Sequence, residues 1–143
     1  MKKLLLFLPI ILILSCNSEG DNSTIENNCD FTSEIILEED FNAINTSNYG
    51  IIEVELNGDC LGITFGSSGC GTDLWEENLY STDTFYNVFP LQRDVKMELI
   101  NDETCLAFFQ KTVSFDLTPF QIDGQSDLPL NINGWNEQIT YGY

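Results

Sequence analysis

The sequence predicts an all-β domain, an antiparallel sandwich of roughly eight short strands built in an immunoglobulin-like or jelly-roll-like manner. From Cys29 onward apolar residues recur with period two, and no window of a dozen residues keeps a helical apolar stripe. Turn residues punctuate most gaps between the apolar runs. Few gaps are long enough for the crossovers that parallel neighbours need, so antiparallel pairing is expected.

The elements follow in chain order. A strand is expected over Ile35 to Glu38. Ile52, Val54 and Leu56 then alternate with Glu53, Glu55 and Asn57, and Leu61, Ile63 and Phe65 alternate with Gly62 and Thr64. Asn57-Gly58 between them reads as the central pair of a type I′ hairpin turn, where both residues need a positive φ. Gly66 to Gly71 resembles a phosphate-cradling loop only superficially, since it lacks the Lys-Ser/Thr ending. It is read as a strand-to-strand turn. Further strands are expected around Trp75 to Tyr80, then at Arg93 to Ile100, Thr104 to Asp116, Leu128 to Ile132 and Gln138 to Tyr143. Pro119 and Pro129 fall beside strand ends, where a missing N–H does little harm.

The in-phase apolar residues form the expected core. They are Ile52, Val54, Leu56, Leu61, Ile63 and Phe65 from the first hairpin, Trp75 and Leu79, then Val95, Met97 and Leu99. Phe109, Val113, Phe115, Leu128, Leu130, Ile132, Ile139 and Tyr141 complete the set. Lys111 breaks the pattern between Phe109 and Val113, and a β-bulge is expected to turn it outward.

The chain opens with Lys2 and Lys3, an apolar run from Leu4 to Leu14, Ser15 and then Cys16. A basic start, a short apolar stretch and a small residue at the cut make a secretory signal, and the run is too short to span a bilayer, which takes about 20 residues. It resembles a bacterial lipoprotein signal, with Cys16 at the position that receives the lipid and Leu14 where a smaller residue is commoner. The expected organisation is a signal peptide over 1–15, a lipidated cysteine with an acidic tether over 16–28, and a β-sandwich domain over 29–143. The tether has one apolar side chain, too few to order it, and as a flexible coil would reach about 20 Å. An acidic tether after the cysteine, here with Glu19 and Asp21, is similar to that of surface-displayed lipoproteins of the Bacteroidota. The anchored chain is expected on the outer membrane, facing the periplasm or the outside.

Four further cysteines, Cys29, Cys60, Cys70 and Cys105, then fall in an oxidising compartment and read as disulfides. Three pairings are possible. Cys29 with Cys60 is favoured because it ties the start of the domain to the hairpin, and Cys70 with Cys105 because it pins the Gly-rich segment to a long strand. Each bond would close a loop worth about 4 kcal/mol in chain entropy. A zinc site is disfavoured, since the chain has no close cysteine pair and no histidine.

Without the signal the chain carries three cations against 23 acids, a formal charge of −20. That surface repels nucleic acid and anionic headgroups, leaving a cation, a basic protein or a glycan as partners beside the membrane reached through the anchor. No cofactor is expected, with Ca2+ the one chemical possibility. Asp59, Asp73, Glu76 and Glu77 offer hard oxygen ligands, as does the run Glu38-Glu39-Asp40, but none has EF-hand spacing. Histidine-based hydrolysis is excluded by composition, and a Ser–Lys pair using Lys96 or Lys111 has no serine marked out for it. With 23 acids, carboxylate pairs carry no information. No catalytic residue is assigned and the chain is not read as an enzyme. Trp75 and Trp135 are the candidate ligand-binding aromatics, Trp135 because Asn133-Gly134-Trp135-Asn136 sets it in a turn.

Cys60-Leu61, Gly69-Cys70, Trp75, Pro90-Leu91-Gln92-Arg93, Glu103-Thr104-Cys105-Leu106-Ala107, Ser114-Phe115-Asp116-Leu117 and Ile139-Thr140-Tyr141-Gly142-Tyr143 resemble a group of small lipoproteins of flavobacteria and their relatives, over about residues 29 to 143. The resemblance implies an exported, disulfide-containing β domain and brings no activity with it. The expected function is a non-catalytic binding or interaction module of the cell envelope. The alternatives are an inhibitor or immunity-type protein that neutralises a basic partner, and a calcium- or glycan-binding module.

Overall fold

The computed structural model describes residues 28–85 and 88–143. The expected signal over 1–15, Cys16 and tether residues 17–27 lie outside the described residues. In chain order the elements are β1 (Phe31–Thr32), β2 (Glu34–Ile36), α1 (Glu38–Ala43), β3 (Gly50–Asn57), β4 (Cys60–Gly69), β5 (Glu76–Thr82), β6 (Arg93–Ile100) and β7 (Ala107–Asp116). A 3-10 turn over Thr118–Phe120, β8 (Asp127–Ile132) and β9 (Ile139–Gly142) follow. They form two sheets, one ordered β1-β7-β4-β3 and the other β2-β5-β6-β8-β9. The fold is thus the sandwich-like, nearly all-β domain that the period-two alternation predicts.

Both sheets are mixed. The long ladders β3–β4, β4–β7, β5–β6 and β8–β9 are antiparallel, while β1–β7, β2–β5 and β6–β8 run parallel. The crossover between β6 and β8 is β7 itself, which lies in the opposite sheet. Residues 31–36 form one extended run that changes sheets at Ser33. Ser33 is buried, and both its N–H (3.0 Å) and its hydroxyl (2.7 Å) donate to the Asp116 carbonyl. Those bonds satisfy the polar groups at the crossing point.

The core lies between the sheets. Leu61, Ile63, Phe65, Val113 and Phe115 from one face Val95, Met97, Leu128, Leu130 and Tyr141 from the other, all at most 3% exposed. Burying a side chain of that size stabilises the fold by about 1.5–3 kcal/mol. Leu117 and Phe120 join this core from the 3-10 turn and the residue before it, and Phe41 of α1 is buried separately, outside that cluster, where a period of two has no power to select any of them. Val54, Leu56, Phe109 and Ile139 pack against the core while remaining partly exposed.

Several expectations are corrected. Ile52 is 44% exposed. The β3–β4 register slips between Ile51 and Glu53, and this bulge gives the inward place to Ile51. Conversely, β7 has no bulge at Lys111, since its register against β4 runs unbroken from Cys60↔Asp116 to Gly69↔Ala107. Lys111 therefore stays in phase with Phe109 and Val113 on the inner face. There it meets Glu77 of β5 at 2.7 and 3.0 Å and also donates to the Thr72 carbonyl at 3.4 Å. The ion pair substitutes for the expected outward turn.

The Gly66 to Gly71 stretch is not a turn as a whole, because β4 continues through Gly69. The ring of Phe108 lies over Gly66, filling the space a Cβ would occupy. At the β3–β4 hairpin, Asn57 pairs with Cys60, so Gly58 and Asp59 are the central residues. Gly58 has φ 59°, and no non-glycine residue among those described has a positive φ. One positive φ at the first central position is the type II′ pattern, not type I′. The first expected strand ends at Ile36, and Glu38 opens α1, whose Glu38, Glu39 and Asp40 sit favourably in the first turn. The strand expected from Thr104 begins at Ala107. Pro129 lies within β8, one residue before its pairing with β6 begins at Leu130.

The disulfides join Cys29 to Cys60 and Cys70 to Cys105, with Cα separations of 5.6 and 4.9 Å. This is the pairing favoured from the sequence.

Buried tyrosines, Tyr49 and Tyr141 foremost, make this fold sensitive to alkaline pH. Tyr49 donates its hydroxyl to the Met97 carbonyl, and burial pushes its pKa up to about 12. Burial, and then the hydrogen bond to Asp59 Oδ1 at 2.6 Å, also push Tyr141 up. The folded state therefore holds protons that the unfolded chain, titrating near about pH 10, has lost. This contribution is fully present below about pH 10 and is lost as pH rises through the folded values. Melting temperatures measured from neutral pH to strongly alkaline pH should fall along that course, and more gently in Tyr49→Phe. An equally steep fall in that variant would assign the effect elsewhere.

Candidate binding cleft

The outer face of the five-stranded sheet carries a cleft of about 330 Å3. Its geometry follows from strand alternation. Val95 and Met97 point into the core, so Asp94 and Lys96 on β6 face outward, as does Asn131 between the buried Leu130 and Ile132 of β8. One wall is Phe41 of α1, and the other is the 133–138 turn that carries Trp135. A second depression of about 340 Å3, lined by Glu38, Asn42, Thr82, Thr84 and Phe85, meets the first at Phe41 and Asp94.

Each wall is fixed by identifiable contacts. Phe41 is 5% exposed, and Lys96 Nζ sits 4.6 Å from its ring centroid while donating to its backbone carbonyl at 2.8 Å. That combination of cation–π contact and hydrogen bond clamps the short helix to the sheet. On the other side, the Asn133 N–H donates to the Val95 carbonyl and the Trp135 N–H to the Ile132 carbonyl, at 2.8 and 3.1 Å. Gly134 has φ 87°, a conformation that favours glycine.

A chain of polar side chains crosses the floor. Asn131 Nδ2 donates to Asp94 Oδ1 at 3.2 Å and to Gln92 Oε1 at 3.5 Å. Gln138 Nε2 donates to Asn131 Oδ1 at 2.8 Å and to Gln92 Oε1 at 3.3 Å. These bonds hold the carboxamides in one orientation, as a preorganised surface requires. Trp135 packs partly against the core, and its indole N–H is buried without a hydrogen-bond acceptor among the described residues. An unmet donor of this kind costs about 1–3 kcal/mol.

Of the two candidate tryptophans, the structure places Trp135 at the cleft and Trp75 in the core. Trp75 is 4% exposed, stacks on Phe65 at 5.7 Å and donates its indole N–H to Glu103 Oε2 at 3.2 Å. The same oxygen accepts the Cys70 N–H at 3.0 Å, and Gly69 packs so close that a Cβ there would lie 2.6 Å from it. Nothing in the sequence singles out Glu103 for this role.

The candidate calcium ligands are not brought together. Asp59 accepts from Tyr141, Glu77 is buried against Lys111, Asp73 is exposed in a loop and Glu76 opens β5 on the solvent side. No group of three or more acidic or cysteine side chains among the described residues is placed to hold a metal ion. Glu38, Glu39 and Asp40 occupy the first turn of α1. Sequence reasoning missed Phe41, Asp94, Asn131 and Gln138 as parts of one cleft. Alternation marks Asp94 and Asn131 as outward-facing, yet nothing separates them from other outward polar residues.

One further buried charge lies at the edge of this region. Arg93 donates to the Phe120 carbonyl at 2.9 Å and the Thr82 carbonyl at 2.8 Å, and its guanidinium lies 4.5 Å from the Phe85 ring centroid. Burial lowers its pKa from the ordinary arginine value. It fastens the end of β5 to the 3-10 turn.

No family model matches the chain. No curated protein matches it either. Two solved structures share the fold. A protein of unknown function, DUF1344, from Bacteroides vulgatus is 15% identical with a TM-score of 0.52, and the match covers 79% of this chain and 56% of that one. A protein provisionally described as toxin-related, from Parabacteroides distasonis, is 16% identical with a TM-score of 0.52, covering 79% of this chain and 59% of that one. The chain spans a little over half the length of these structures, and at such identity the likeness is one of fold.

Proposed function

We propose that the chain is an exported, lipid-anchored, non-catalytic binding module that seats its ligand in the cleft between α1 and the 133–138 turn. The cleft itself carries the reading. Its volume of about 330 Å3 lies within the range of small-molecule sites, and it joins apolar walls to a few convergent polar groups. Export is supported by two disulfides, which persist in oxidising compartments, and anchoring by the Leu4-to-Cys16 sequence pattern. A non-catalytic role is supported by the fates of the reactive side chains. There is no histidine, Cys70 is in a disulfide, Lys96 clamps α1 and Lys111 pairs with Glu77.

Two measurements test the reading. Labelled palmitate should enter the wild-type chain in cells and fail to enter Cys16→Ser, and equal labelling would remove the anchor. Thermal melts of the full chain in detergent, run against fractionated envelope extract, should yield a fraction that raises the melting temperature. At a hundredfold excess over the dissociation constant, mass action stabilises the folded state by about 2.7 kcal/mol. Asn136→Trp, which fills the exposed lip of the cleft, should abolish that rise, and the ligand should be recovered chemically unchanged. A rise that survives the substitution, or a ligand consumed by the protein, would sink the proposal.

A further inference from the structure

We infer that the ligand of the cleft is a neutral saccharide, held by a mixed set of hydrogen-bond donors and acceptors on the 133–138 turn and the adjoining strands. The inference rests on the cleft being the binding site and adds the chemical class of its occupant.

Three classes of ligand can be compared with the side chains present. An anion needs donors and positive potential, whereas Asp94 and Glu137 line the cleft and Lys96 is turned to the Phe41 carbonyl. A cation needs carboxylates clear of positive charge, and Lys96 stands in the same cleft, two residues from Asp94. A sugar hydroxyl donates one hydrogen bond and accepts others, so it needs both kinds of partner side by side, which is what a carboxamide offers.

Carboxamides dominate the polar lining. Asn131, Asn133, Asn136 and Gln138 all contribute, with Asn133 and Asn136 exposed on the lip. The Gln138 amide nitrogen is fixed by Asn131 and Gln92, at 2.8 and 3.3 Å, which leaves its oxygen for a ligand. Trp135 supplies an apolar wall of the kind that the C–H face of a pyranose ring covers, while the Phe41 ring is capped by Lys96 and closes the far end of the cleft. The second depression continues the groove past Asp94 and gives a longer glycan chain somewhere to run.

Isothermal titration of the full chain in detergent would use neutral glucan, mannan, xylan and chitin fragments, with oligolysine and heparin fragments alongside. The expected result is binding of at least one neutral saccharide, weakened about tenfold or more by Gln138→Ala and by Asn136→Ala. Both positions are exposed and outside the core, so the unliganded melting temperature should not change in Asn136→Ala and should fall only slightly in Gln138→Ala, which loses its bonds to Asn131 and Gln92. Oligolysine or heparin binding that both substitutions weaken, without saccharide binding, would overturn the saccharide class and leave the cleft reading standing. Saccharide binding indifferent to both substitutions would overturn the cleft reading and this inference with it. Failure of every neutral saccharide to bind would overturn the inference alone if an envelope ligand still acts through the cleft.

Discussion

Lys111→Met should lower the unfolding free energy by about 3 kcal/mol, the lower part of the range for breaking a buried ion pair from one side. The Glu77 side chain is 1% exposed, and the Lys111 ammonium is its salt-bridge partner across the two sheets. Removing the ammonium leaves a carboxylate that must remain charged without compensation or take up a proton. Lys111 is itself 27% exposed, so water screens part of the attraction and the upper part of the range is not expected. The double substitution Lys111→Met with Glu77→Leu removes both charges and fills the gap with apolar volume. It should recover most or all of the loss, since apolar replacements of buried pairs are often neutral or stabilising. Urea titrations of the three variants give the answer through the coupling between the two positions. A loss below about 1 kcal/mol in Lys111→Met would mean that the pair behaves as a surface contact.

The second large effect concerns the Cys29–Cys60 bond. Replacing both residues with serine should cost about 4 kcal/mol, the chain-entropy value for a loop spanning a sequence separation of 31. The structural consequence should be local as well as global. β1 and β2 contain two and three residues, and each pairs with its sheet along one edge only. Beyond the disulfide, they are held by those short parallel ladders, the two Ser33 bonds to Asp116, the Asp30–Ser114 bonds just before β1, the Asp83 N–H bond to the Ile36 carbonyl and the contact of the Phe31 ring with Phe115. In the serine variant, amide exchange should accelerate at residues 31–36 before it does so in β4 or β6. Uniform acceleration across both sheets, or a stability loss below about 1 kcal/mol, would contradict this account.

How much of this was legible in the sequence depends on the range of the interactions involved. Alternation is local, and it located β6 residue for residue and most of the core. It failed where a distant partner decides the outcome. Ile52 lost its place to a register slip set by pairing with β4, and Lys111 kept an inward place because Glu77 waits in the other sheet. Asn57-Gly58 was recognisable as a hairpin signal, but the strands shifted the turn by one residue. The cleft divides in the same way. Trp135 stood out through its Asn-Gly setting, while Phe41, Asp94 and Asn131 reach it from elements up to 94 positions away. Glu103 gave no signal, being one acid among 23 whose role is to serve the Cys70 and Trp75 N–H groups.

The sheet-switching run at residues 31–36 also has a mechanical meaning. Tension applied from the N-terminal side arrives first at Cys29, whose disulfide hands it to Cys60 at the start of β4. That strand is flanked on both sides by antiparallel partners. The parallel edge ladders β1–β7 and β2–β5 lie beyond this junction, so load need not pass through them. A covalent shunt of this kind spares the weakest pairings of the domain and delivers pull to one of its best-supported strands.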